Sequence, residues 1–288
     1  VDRRHEQRGS LMHEPAVHDA PVSSGTTVSG LRYEVHGSGE PLFLGFPLMA
    51  SHAEIFGEDA GRVRRGFLER LLDSYRVLFI DYPSIGGSTT IPPSELTVDR
   101  VIGDLLEVAD AAGFERFAWW GGTFGAVAGM ALAARSQRVS ALVCAGWSPL
   151  GMPYSGIAAA ARAQLGDPPP HARAVLRSPS QYAQWCTFYD SLGDAWETRT
   201  VPAIRCPRAV IYGEHAATSA GSCPLPLAAT IRSRRAELAA LGWHVAEIPA
   251  ADAGLVFEPE LLVPAVREFL DTALKIHDRK PFQLAQQG

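Results

Sequence analysis

The stretch Phe117-Ala118-Trp119-Trp120-Gly121-Gly122-Thr123-Phe124-Gly125 passes from a short apolar run into glycines. From Phe124 to Ala134 it continues as an apolar helical segment. The apolar run is the length of a buried strand, and the helix follows without a loop. A G-x-T-x-G sequence at such a junction predicts a sharp turn. Its glycines let the backbone fold tightly, so that one side chain, Thr123, is pushed forward.

Outward from this turn, strand and helix alternate. On the N-terminal side, Leu31 to Val35 alternates like a strand, His36-Gly37-Ser38-Gly39 reads as a turn, and Pro41–Leu44 and Arg76–Ile80 are short apolar runs. Thr97 to Ala112 repeats apolar residues at helical spacing, and Gly113 stops it. On the C-terminal side lie strand Val139–Ala145 and, later, strand Arg208–Tyr212, helix Leu227–Leu241, strand His244–Ile248 and helix Pro259–Leu274. Continuous apolar strands separated by helices predict an α/β protein with a mostly parallel central sheet, buried on both faces. Ser148 to Arg199 breaks the rhythm, being rich in proline and aromatics with helical pieces and no evident strand. The expected organisation is therefore one α/β core (27–147 and 200–276) with an inserted helical cap (148–199). Flexible segments are expected at 1–26 and 277–288. Val1 to Leu11 is polar and Arg-rich, Met12 is a candidate start, and this leader stays outside the fold argument.

Composition narrows the function classes. A length of 288 residues suffices for one large domain with a substantial core. The net charge of −5 argues against a nucleic-acid partner. No apolar run approaches the roughly 20 residues needed to cross a bilayer, so no membrane partner is expected. Lysine occurs only at Lys275 and Lys280, while Ala, Gly, Pro and Arg are abundant, which suits a GC-rich bacterial genome. Cys144, Cys186, Cys206 and Cys223 show no metal-finger or C-x-x-C spacing. They read as reduced thiols of a cytoplasmic protein, and neither a metal nor a cofactor is implied.

The order of motifs resembles the α/β-hydrolase superfamily over nearly the whole stretch 31–274. Leu42-Phe43-Leu44-Gly45-Phe46-Pro47 is similar to its oxyanion-loop segment, and Asp81-Tyr82-Pro83-Ser84-Ile85-Gly86-Gly87-Ser88 to its D-x-P-G-x-G-x-S turn. Cys206-Pro207 to Tyr212-Gly213-Glu214 resembles the segment before its catalytic acid, and Ile248-Pro249 to Glu258 the stretch that carries its catalytic histidine. The resemblance implies a nucleophile elbow at 121–125. It also exposes the losses. Thr123 stands at the nucleophile position, Ala216 at the acid position and Ala253 near the base position; Leu44 replaces the oxyanion-loop histidine. A triad works because a base takes the nucleophile's proton and a third group orients that base. Alanine can do neither, so an ordinary hydrolase is not expected.

Several residues then have two readings. Thr123 is a weak nucleophile, a hydrogen-bond donor to a ligand, or a small residue that satisfies the turn. Asp252 is a relocated base or a loop aspartate, and His215 faces the pocket or is structural, as does His52; His244 reads as structural. The resemblance also implies backbone oxyanion donors at Phe46 and Phe124. The cap residues Tyr182, Trp185 and Tyr189 lie at helical spacing with Phe188 and Trp196 nearby, a stripe that packs the core or faces a pocket. A large, mostly apolar chamber is expected, lined by Phe46, Met49, Thr123, Phe124, Trp147, Trp185, Tyr189, Leu255 and Val256. Among triad-degenerate members the chain resembles the bottromycin-type peptide epimerases. That resemblance implies cofactor-free epimerisation of an aspartyl residue beside a thiazoline or thiazole in a modified macrocyclic peptide, within antibiotic biosynthesis. A binding protein for a hydrophobic or peptide ligand, a natural-product cyclase, and a hydrolase with a rearranged triad are the alternatives.

Overall fold

The computed structural model describes residues 21–193 and 195–275. The expectations for 1–20 and 276–288 lie outside the described residues. In chain order the elements begin with β1 (Ser23–Thr26), β2 (Arg32–His36), β3 (Glu40–Leu44), α1 (His52–Phe56), α2 (Glu58–Glu69), β4 (Tyr75–Ile80) and α3 (Val98–Ala111). Next come β5 (Phe117–Gly122), α4 (Thr123–Arg135) and β6 (Val139–Ala145). The cap helices α5 (Tyr154–Ala163), α6 (Pro170–Val175), α7 (Ala183–Leu192) and α8 (Trp196–Thr200) follow. The chain closes with β7 (Arg208–Gly213), β8 (Thr218–Ala220), β9 (Cys223–Leu225), α9 (Leu227–Ser233), α10 (Arg235–Ala240), β10 (Trp243–Ile248) and α11 (Pro259–Leu274).

Eight strands form one sheet in the order β1-β2-β4-β3-β5-β6-β7-β10. The β1–β2 and β2–β4 pairs are antiparallel, and the others are parallel. This is the expected α/β architecture with a mostly parallel sheet. Alternation along each strand splits the core in two. Phe43 and Trp119 face the layer holding α3 and α4, whereas Leu42, Leu44 and Trp120 face the layer holding α2 and α11. Helix α4 is buried from Phe124 through Ala133 because it is apolar on every side. It therefore sits under the cap, where it fixes the elbow from below.

Three features depart from the sequence expectations. Ser23–Thr26, expected within a flexible lead-in, pairs with β2 as β1. The helix expected over Leu227–Leu241 breaks at Arg234 into α9 and α10, where Ser233-Arg234-Arg235 supplies no apolar contact to bridge the two. A small hairpin, β8–β9, occupies the segment after β7. Its three-residue strands are too short to show alternation. The chain between β6 and β7 carries helices and no named strand, and α5 packs on α7. Among the described residues no helix is long and apolar enough to cross a membrane.

Candidate active site

The elbow has the shape its sequence demands. Strand β5 ends at Gly122, and Thr123 opens α4 at φ 45°, in the left-handed region. A β-branched residue adopts that region at a cost of about 1–3 kcal/mol, so the surrounding packing must hold it there. The flanking glycines show how. A Cβ at Gly121 would lie 2.6 Å from the Gly125 carbonyl, and one at Gly125 would lie 2.4 Å from the Phe46 carbonyl oxygen. The oxyanion-loop segment is clamped to the elbow by Gly122 N–H donating to Phe46 O at 2.8 Å and Gly45 N–H to Trp120 O at 2.8 Å. Asp81, fully buried, ties the same loop to the next turn by accepting from Ser51 N–H and Gly87 N–H, both at 2.8 Å, and from the Ser51 hydroxyl at 2.5 Å.

Among the described residues, none hydrogen-bonds to the Thr123 hydroxyl, whose oxygen is buried. Ala216 is buried at the acid position. Of the relocated candidates, Asp252 is exposed and caps the short helical turn 253–257 by accepting from Gly254 N–H at 2.6 Å. His215 is exposed, 3.8 Å from the Glu214 carboxylate. His52 is buried, with ring centroids of Phe56 and Phe257 at 5.2 and 6.3 Å. Burial, reinforced by the Arg64 charge, lowers its pKa to about 4, so it is neutral at pH 7. His244 stacks on Phe269 on the outer strand β10.

The two expected oxyanion donors differ. Phe124 N–H lies in the first turn of α4, where a helix offers its amides no internal acceptor. Phe46 N–H instead donates to Tyr82 Oη at 3.3 Å. Burial pushes the Tyr82 phenol well up, so it stays protonated. Tyr82 was not singled out by sequence reasoning, and its place in the D-Y-P-S turn was the only signal available.

Aromatic rings cluster around the elbow. Phe124 packs against Phe188 at 4.5 Å, Tyr82 and Trp185 at 5.0 Å, and Phe46 at 6.1 Å between centroids. The expected lining residues are thereby divided among different surroundings. Phe46, Phe124 and Trp185 belong to this ring cluster. Met49, Trp147 and Leu255 are buried, and Val256 lies 3.3 Å from where a Gly122 Cβ would sit. The void beside Gly121 and Gly122, lined also by Phe46 and Val256, measures about 10 Å³, room for one water. Tyr189 lies on the far side of the rings. There it lines a separate cavity of about 250 Å³ within the cap, together with Tyr154, Trp196 and Glu197. Side chains large enough to line a chamber are also large enough to fill it, and the residue types alone do not distinguish these outcomes. Among the described residues no three His, Cys, Asp or Glu side chains converge in a way that could hold a metal ion.

No protein-family model matches the chain, and no curated protein matches it by sequence. Solved structures do. A thermophilic esterase from Thermogutta terrifontis superposes with a TM-score of 0.63 at 21% identity, covering 87% of this chain and 98% of that one. A hydrolase from Pseudomonas aeruginosa gives 0.61 at 24%, covering 86% and 97%. An enol-lactonase from Burkholderia xenovorans gives 0.61 at 20%, covering 86% and 99%. With the strand order, the elbow at Thr123 and the clamped loop at Phe46, these likenesses establish that the chain has the α/β-hydrolase fold.

Proposed function

We propose that this protein is a non-hydrolytic, cofactor-free enzyme that epimerises an aspartyl α-carbon beside a thiazoline or thiazole in a modified macrocyclic peptide. The observation that carries this reading is the solitary Thr123 hydroxyl, buried with no hydrogen-bond partner at the tip of an intact elbow. A hydroxyl with no base to take its proton is a poor nucleophile. An α-proton beside an imine-like ring is unusually acidic, and the aspartyl carboxylate of the substrate is close enough to act as the base. The protein's contribution is then to hold the peptide so that the carboxylate takes the α-proton from one face and a proton from water is added to the α-carbon on the other. Phe124 N–H, at the positive end of α4, favours the charge that develops on an enolate-like oxygen. The sequence resemblance to bottromycin-type peptide epimerases supports the same substrate class.

The role given to the substrate carboxylate is tested with two macrocycles, one carrying Asp and the other Asn at the epimerised position. The epimer ratio of each, followed by chiral amino-acid analysis, should approach equilibrium only for Asp. Asn should be slower by about 100-fold or more. Equal rates would remove the carboxylate from the mechanism. A second reading, a binding protein for a peptide or hydrophobic ligand, is favoured by the aromatic rings grouped beside the elbow, which offer contact area and no acid or base. It predicts tight, stoichiometric binding of the macrocycle with no change in configuration.

A further inference from the structure

We propose that the cavity within the cap binds an organic cation, an ammonium or guanidinium group seated on Glu197 between aromatic walls. The cavity, about 250 Å³, is lined in part by Tyr154, Ser155, Tyr189, Asp190, Trp196 and Glu197. It is separate from the elbow: Phe188 stands between, 4.5 Å from Phe124 and 5.3 Å from Tyr189.

Three observations converge on a cation. First, Glu197 is half-buried and its carboxylate reaches across from α8 to accept Gly151 N–H at 2.7 Å and Met152 N–H at 2.8 Å. Each oxygen therefore takes one donor and keeps a second lone pair. Second, two of the nearby guanidinium groups are already engaged, Arg162 with Asp190 and Arg234 with Glu237 at 3.0 Å, while that of Arg199 stands at the Gly193 rim of the cavity. Burial pushes the Glu197 carboxyl above its ordinary range, and the two amides and Arg234 offset this only in part. A desolvated carboxylate of this kind is stabilised by an arriving positive charge. Third, three rings contribute to the lining: Tyr154 lies 6.2 Å from Tyr189 at 20° and 5.2 Å from Trp196 at 81°. Aromatic faces attract organic cations and make poor partners for anions. The exposed Ser155 and Asp190 mark the side open to solvent.

The competing account is that Glu197 merely pins the 151–152 loop to α8. Calorimetric titration of the full chain with benzylammonium, and with its neutral analogue benzyl alcohol, separates the two. Saturable binding of benzylammonium is expected, with a Kd of about 0.1–10 mM, as suits a fragment of this size. Benzyl alcohol should bind at least about tenfold more weakly. Glu197→Gln should weaken benzylammonium by about tenfold or more. Because that change also disturbs the loop, Tyr189→Leu provides a second test: it leaves the carboxylate in place and should weaken binding several-fold. No saturable binding to the wild type, equal binding of the alcohol, or full affinity in both variants would overturn the proposal. This inference does not depend on the epimerase reading, since these titrations measure no turnover.

Discussion

At the scale of single residues, Thr123 concentrates the account. It keeps the left-handed backbone of an elbow while its hydroxyl has nothing to bond with. Both features cost stability, about 1–3 kcal/mol for the backbone and a further amount for the unsatisfied hydroxyl. Thr123→Gly removes both costs and adds up to about 1 kcal/mol of unfolded-state entropy. The variant should therefore be more stable than the wild type by about 1 kcal/mol in urea denaturation. A loss of stability would mean that the Thr123 side chain makes contacts worth more than its strain. The turn at this site was legible in the sequence, since G-x-T-x-G between a strand and a helix fixes it. Tyr82 was not legible, because its bond to Phe46 N–H joins residues 36 apart through a loop packing that no local pattern encodes.

At the scale of elements, α1 and α2 secure the oxyanion loop through a buried polar cluster on β2, the strand next to the sheet edge. Arg64 of α2 donates to the Ala50 carbonyl at 2.9 Å, contacts the Glu34 carboxylate and His36 of β2, and lies over the Phe79 ring. Burial pushes the Glu34 carboxyl up, but His36, Arg64 and Arg32 outweigh it and hold it near 2. His52 of α1 stands beside this cluster with its pKa lowered to about 4. The folded state thus resists protonating His52, whereas the unfolded chain takes up that proton below about pH 6.5. The stabilisation is complete above pH 6.5 and is lost as pH falls from there toward 4. Unfolding free energies from urea denaturation at pH 7.5 and 5.0 should differ by about 2 kcal/mol from this group. His52→Phe, which keeps an aromatic ring between Phe56 and Phe257, should abolish most of that difference. An unchanged pH dependence in the variant would place the effect elsewhere. The long periodic elements α3 and α11 were evident in the sequence. β8 and β9 were not, because three residues are too few to display a period.

At the scale of the whole molecule, the sheet order, the cap between β6 and β7 and the clamped loop are those of the α/β-hydrolase fold, while the Thr123 hydroxyl at the elbow has no hydrogen-bond partner. The fold was legible because it follows from apolar runs and glycine turns repeated along the chain. The state of the pocket was not, because whether Phe124, Trp185 and Phe188 line a space or fill it depends on how α7 settles on α4. The central claim is that proton transfer here requires no triad residue. Its most direct test is incubation of an aspartyl-thiazoline macrocycle in D₂O with the wild type and with Thr123→Ala, followed by mass spectrometry and NMR of the peptide. The account predicts one deuterium, at the aspartyl α-carbon, introduced at the same rate by both proteins. No incorporation with the wild type, or incorporation that disappears in Thr123→Ala, would contradict it.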